Sequence, residues 1–94
     1  MDYRLRYDRH FIRLLEALPG DVRSVARRRV RHLASAPYPS GAKELDEHSG
    51  YYRLWLPRNC RLVYRVIEDE LIVDLLYVGP KSPDLYEKLG LGRQ

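Results

Sequence analysis

Cys60 is the only cysteine in this chain of 94 residues, so no disulfide can close within it, and a reducing cytoplasm is the expected compartment. Long apolar runs are missing as well. The most hydrophobic stretch, Leu71 to Val78, is interrupted by Asp74 and falls far short of the roughly 20 apolar residues that a membrane span needs. The opening Met1-Asp2-Tyr3-Arg4-Leu5-Arg6 has no apolar segment of the secretory kind, so neither export nor a membrane partner is expected. His10, His32 and His48 have no metal-ligand spacing with one another or with Cys60, so no metal site and no cofactor are expected. Gly90-Leu91-Gly92 lacks the strand, loop and helix context of a nucleotide-binding turn. Repeats, low-complexity segments and linkers are absent too, and the length suits one domain spanning 1–94.

What is present is a composition able to fold. Hydrophobic residues make up 45% and charged residues 32%, the profile of a packed core under a solvated surface. Lysine and arginine together number 17 against 13 acidic residues, a net charge of +4. Arginine supplies nearly all of the basic side. Its planar fork suits phosphate or carboxylate better than a lysine does, which points to an anionic partner.

Tyr3, Leu5 and Tyr7 alternate with Arg4 and Arg6, the period of a half-buried strand. Asp8 is a good helix cap, and Phe11, Ile12, Leu14, Leu15 and Leu18 follow at helical spacing until Pro19-Gly20. Asp21 opens a second helical pattern with Val22, Val25, Ala26, Val30 and Leu33 on one side, running to about Ala36 before Pro37 and Pro39. Tyr38 to Gly50 reads as a connector with a short extended piece at Lys43-Glu44-Leu45. Then Tyr52, Leu54 and Leu56 face the helices, leaving Arg53 and Trp55 on the opposite side. After the turn Pro57-Arg58-Asn59 come two β-rich runs, Arg61 to Ile67 and Leu71 to Val78, which predict an antiparallel meander. Ser82-Pro83-Asp84 predicts a short last helix with Ser82 as cap and Pro83 at its first position, docked through Leu85 and Leu89 and stopped at Gly90.

The expected fold is therefore α+β: an N-terminal strand, a two-helix hairpin, a three-stranded antiparallel meander and a short C-terminal helix, with the helices on one face of the sheet. With Glu68-Asp69 as a two-residue loop, Arg65 would pair with Ile72 and Val63 with Asp74. Arg61, Arg65 and Asp74 then share the open face with Arg53 and Trp55.

The ordered motifs Leu18-Pro19, Lys43-Glu44-Leu45, Tyr52-Arg53-Leu54, Arg61-Leu62-Val63-Tyr64-Arg65-Val66 and Val78-Gly79, with a terminal Tyr86, resemble the RelE/ParE toxin superfamily across the whole chain. The resemblance is to toxins of toxin–antitoxin pairs, and among them to the RelE branch. That branch implies a metal-independent, ribosome-dependent endoribonuclease in which the messenger's own 2′-hydroxyl attacks the adjacent phosphorus. Such chemistry needs a proton acceptor, stabilisation of the phosphorane-like charge and help for the leaving 5′-oxygen. By resemblance these services fall to Arg53, Arg61, Lys81 and Tyr86. Arg61 suits its part as a fork that binds two phosphoryl oxygens, and Lys81, just before the helix start at Ser82, is expected to share its anion with the N–H groups there. A phenol is a poor base at neutral pH, so Tyr86 must be helped by nearby cations or serve by orienting or stacking.

The sequence departs from the branch at two positions: Trp55 stands where a second lysine is usual, and Lys81 where an arginine is. A tryptophan can stack on a nucleobase but cannot neutralise a phosphate. Trp55, Arg58, Arg65 and the helix arginines Arg27, Arg28 and Arg31 are the expected RNA contacts, the last three set against the alternative of a solvated helix face. In related toxins that use a carboxylate before the meander, Glu44, Asp46 or Glu47 would fill that role, although no histidine follows His48 to complete the set. The implied partners are a cognate antitoxin docked on the exposed sheet and last helix, the ribosome and messenger RNA; alone the chain is expected to be a monomer. The alternatives are a DNA gyrase inhibitor of the ParE type and a member that keeps its antitoxin but has lost its poison.

Overall fold

The computed structural model describes residues 2–92. Strand β1 (Arg4–Arg6) leads to Asp8, whose carboxylate accepts a 2.9 Å hydrogen bond from the N–H of Phe11. This satisfies one of the donors that a helix start leaves open, and helix α1 (Arg9–Glu16) follows. Helix α2 (Gly20–Leu33) begins directly after its cap residue Pro19, one residue before the Asp21 expected to open it. Asp21 lies instead in the first turn, where its charge suits the helix dipole. The helix stops at Leu33, short of Ala36, because Pro37 forces the backbone before it out of helical conformation.

The sheet has five strands in the order β1-β5-β4-β3-β2. The expected meander is its centre, made of β3 (Tyr51–Leu56), β4 (Cys60–Ile67) and β5 (Ile72–Pro80). The two-residue β2 (Lys43–Glu44) adds an antiparallel edge beside β3, and β1 pairs parallel with β5. Between β3 and β4, Arg58 and Asn59 both adopt left-handed backbone, at φ 58° and 59°. Tight hairpin turns that match strand twist require that conformation.

The β4–β5 connection is longer than expected. A 3-10 turn, Glu68–Glu70, is followed by Leu71 at φ 53°. Arg65 consequently lies opposite Asp74 and not Ile72, and a bulge beyond it sets Val63 opposite Tyr77 and not Asp74. The slip between Arg65 and Ile72 is two residues, one full side-chain period, so Arg65 and Asp74 still share a face.

Helices α1 and α2 bury Phe11, Leu18, Val22, Ala26 and Leu33 against Leu54, Leu62, Tyr64 and Val73 of the sheet. The expectation of helices on one face holds for these two. Helix α3 (Leu85–Lys88) lies on the other face, in a smaller cluster of Leu45, Val63, Leu85, Tyr86 and Leu91. Val63 accounts for this placement: it is an apolar residue on the open side, and α3 shields it completely from water. The helix starts at Leu85 with Asp84 at the cap position, not at Pro83 with Ser82. The Ser82 hydroxyl bonds the Asp84 carboxylate at 3.1 Å. Gly90 ends it as expected, at φ 78°. No helix among the described residues is long and apolar enough to cross a membrane.

Candidate active site

Arg61 stands near the start of β4, paired with Trp55 on β3 and Gly79 on β5. It is only 6% exposed. Its guanidinium carbon lies 4.0 Å from the centre of the Trp55 ring and 5.9 Å from that of Tyr86. Nη1 donates a 2.5 Å hydrogen bond to the Tyr86 hydroxyl oxygen, while Nε has no partner among the described residues. The ion pairs among the described residues join Arg6 to Asp74, Arg58 to Asp21 and Lys88 to Asp84, so none reaches Arg61. A buried charge without a counter-ion is costly. The aromatic faces offset only part of that cost, about 0.5–2 kcal/mol each. The site is therefore built around an unmet demand for an anion.

The elements around Arg61 hold further cations nearby. Arg53 shares the open face of β3, its guanidinium 5.8 Å from the Trp55 ring. Lys81 follows β5 directly, and its backbone N–H donates to the Asn59 carbonyl at 3.1 Å. That bond ties Lys81 to the β3–β4 turn. Tyr86 reaches the site because the apolar contacts of α3 pin its ring beside Leu85 and Val63. Together Lys43, Asp46, Arg53, Arg61, Lys81 and Tyr86 line a cavity of about 230 Å³.

Gly79 is the partner of Arg61 on β5. A Cβ there would approach the Tyr77 hydroxyl to 2.9 Å, and the backbone φ of 153° also favours glycine. The Tyr77 hydroxyl donates to the Pro80 carbonyl at 2.6 Å. Burial, with a lesser contribution from Cys60, pushes this phenol above its ordinary pKa and keeps it a donor.

All four residues expected to do chemistry, Arg53, Arg61, Lys81 and Tyr86, thus meet at one cavity, with Trp55 over Arg61. The other expected RNA contacts do not converge there. Arg65 is exposed further along β4, 5.3 Å from the Tyr51 ring. Arg58 is paired at 3.0 Å with Asp21. Arg27 and Arg31 line an apolar groove with Phe11 and Ile12, and Arg28 is exposed on α2. Helix-start N–H groups do not join Lys81, since α3 begins four residues later and the Leu85 N–H is taken by the Ser82 carbonyl at 3.1 Å.

Lys43, outside the expected set, also lines the cavity, as does Asp46, one of the three carboxylates before the meander. The signal for Lys43 was its position just before Leu45, but its pairing opposite Arg53 required the register of β2 on β3. Glu44, another of the three, lines the cavity too, with its carboxylate accepting from the Gly50 N–H at 2.8 Å. Among the described residues no group of three or more His, Cys, Asp or Glu side chains is placed to hold a metal ion.

Neither a protein-family model nor a curated protein sequence matches this chain. Solved structures do. The isolated Escherichia coli RelE toxin superimposes with a TM-score of 0.72 at 23% identity, covering 92% of this chain and 93% of that one. The toxin–antitoxin complex RelBE2 of Mycobacterium tuberculosis gives 0.70 at 22% identity over 86% of this chain and 100% of that one. The intact E. coli RelBE complex gives 0.72 at 25% identity over 85% and 98%. The arrangement of a five-stranded sheet and three helices described above is thus the fold of the RelE toxins.

Proposed function

We propose that this chain is the toxin of a toxin–antitoxin pair, an endoribonuclease that cuts messenger RNA on the ribosome. The observation that carries the reading is Arg61: a permanently charged fork, buried between Trp55 and Tyr86 with no carboxylate partner among the described residues, on the wall of a cavity that Arg53 and Lys81 also line. A phosphodiester supplies the missing counter-charge. The pocket then favours the transition state more than the ground state, because charge grows on the phosphoryl oxygens as the nucleophile adds.

In this reaction the RNA 2′-oxygen forms a bond to phosphorus and the bond from phosphorus to the 5′-oxygen breaks, leaving a cyclic phosphate and a free 5′-hydroxyl. Arg61 and Lys81 hold the phosphoryl oxygens. Tyr86 accepts from Arg61 through its hydroxyl oxygen, which leaves its own proton to be donated to the departing 5′-oxygen. Asp46, a carboxylate on the cavity wall, takes the proton of the 2′-hydroxyl. Trp55, 45% exposed, offers its outer face to a base, a contact worth about 1–3 kcal/mol in single-strand binders.

RelB–RelE complexes among the structural neighbours support an antitoxin partner, which we place over α3 and the cavity face. Co-expression with the adjacent reading frame followed by a pull-down checks this; recovery of the toxin alone would count against it. The nuclease is tested in a translating extract with cut sites mapped by primer extension. Wild-type protein should cut and Arg61→Ala should not. Intact transcripts with wild-type protein, together with inhibition of purified gyrase in a supercoiling assay, would replace this reading with the ParE type.

A further inference from the structure

We propose a second phosphate subsite, formed by Lys43 and Arg53, beside the one at Arg61; it rests on the RNA-cutting reading above. Lys43 and Arg53 are direct cross-strand partners, so their side chains leave the same face of the sheet. Like charges placed directly opposite each other destabilise a strand pair. Among the described residues neither is relieved by an ion pair, and both line the cavity. Glu44, the acidic neighbour of Lys43, spends its carboxylate on the Gly50 N–H. Asp46 lines the same cavity without forming an ion pair to either cation. The repulsion persists until an anion sits between the two.

That anion is not the phosphate held by Arg61. Strands β2 and β4 flank β3, so their backbones stand roughly 10 Å apart at about 4.8 Å per strand step. The next phosphodiester of the same chain fits the distance. The substrate is therefore a single strand with at least two consecutive phosphates, crossing the strands from Lys81 toward the β2 edge.

The probe is a short, fluorescently labelled RNA with every 2′-hydroxyl methylated, which binds but cannot be cut. Anisotropy across a salt series reads the number of phosphates neutralised, because the slope of log K against log salt changes by about 0.7 per contact on a single strand. Lys43→Ala should weaken binding and reduce the slope by about 0.7, whereas Lys43→Arg should keep it. The penalty should appear on a probe with two phosphates and vanish on one with a single phosphate. If Arg61→Ala weakens binding while Lys43→Ala changes neither affinity nor slope, the second subsite is wrong and the nuclease reading stands. If neither substitution affects binding, or the wild-type chain binds no RNA, the second subsite falls, and cleavage in the translating extract decides the nuclease reading separately.

Discussion

The two faces of the sheet follow opposite rules. On the helix side Leu33, Val22 and Ala26 are fully shielded against Leu54, Leu62 and Tyr64, and the buried Tyr64 hydroxyl is satisfied, donating to the Pro37 carbonyl at 2.8 Å. The other side has a small apolar patch around Val63, held by a four-residue helix, and beside it a charged cavity with an unpartnered guanidinium nitrogen. One face supplies stability, and the other spends part of it on a site that is complete only when an anion arrives. A helix as short as α3 has little stability of its own, so the position of Tyr86 depends on the patch around Val63.

Substitutions should separate the two faces cleanly. Leu33→Ala removes a fully buried side chain and should cost about 2–5 kcal/mol of unfolding free energy in urea. A loss below about 1 kcal/mol would mean that the helix-side core does not carry the fold. Arg61→Ala should behave in the reverse way. With no ion pair to break, the melting temperature should hold or rise. RNA cleavage should drop by roughly 10²–10³, the usual cost of removing one donor from a charge-stabilising site. Arg61→Lys should recover only part of the activity, because a point charge cannot grip two oxygens as a fork does. A variant that unfolds and loses cleavage in parallel would show that Arg61 is structural.

Much of this division was legible in the residues, and the exceptions have physical causes. Period-two alternation put Arg53, Trp55 and Arg61 on one face, and parity survived the two-residue slip in the β4–β5 hairpin. The slip itself came from Leu71, a γ-branched residue in left-handed backbone at φ 53°; turn chemistry offers no reason to expect it there. The side taken by α3 was not legible either. It follows from Val63, one apolar position within a strand whose neighbours on the same face are Arg61 and Arg65, and a single residue makes no pattern. The parts played by Lys43 and Asp46 depended on β2, whose two residues are too few for any periodicity. Arg58 was expected at the RNA, but the turn directs it to Asp21.

Gly79 lies on the border between the two regimes, and a methyl group there sharpens the comparison. Gly79→Ala forces an L residue into φ 153° and drives a Cβ to 2.9 Å from the Tyr77 hydroxyl. Backbone strain of this kind costs on the order of 1–3 kcal/mol. Adding Tyr77→Ala should relieve the collision but leave the backbone cost, so the double variant should be less destabilised than the sum of the two single variants. Additive losses in chemical unfolding would indicate that Tyr77 does not occupy that space. Gly79 is opposite Arg61, so cleavage should fall more than stability does.

The smallest effect is expected at the β4–β5 turn, where Glu68 gathers the hydroxyls of Tyr3, at 2.6 Å, and Tyr38. These donors, Tyr3 first, hold the Glu68 carboxyl below its ordinary value near 4.5. Unfolded, the carboxylate takes up a proton near that value; folded, it resists until the pH is lower. Between the two values the unfolded chain binds more protons, so stability rises with pH there. The contribution is complete above the unfolded value and vanishes as the pH falls through the folded one. Melting curves of wild type and Glu68→Gln should therefore differ near pH 7 and converge as the pH is lowered below about 4. A constant gap over the whole range would mean that the clamp joining the β4–β5 turn to Tyr38 depends on shape and not on charge.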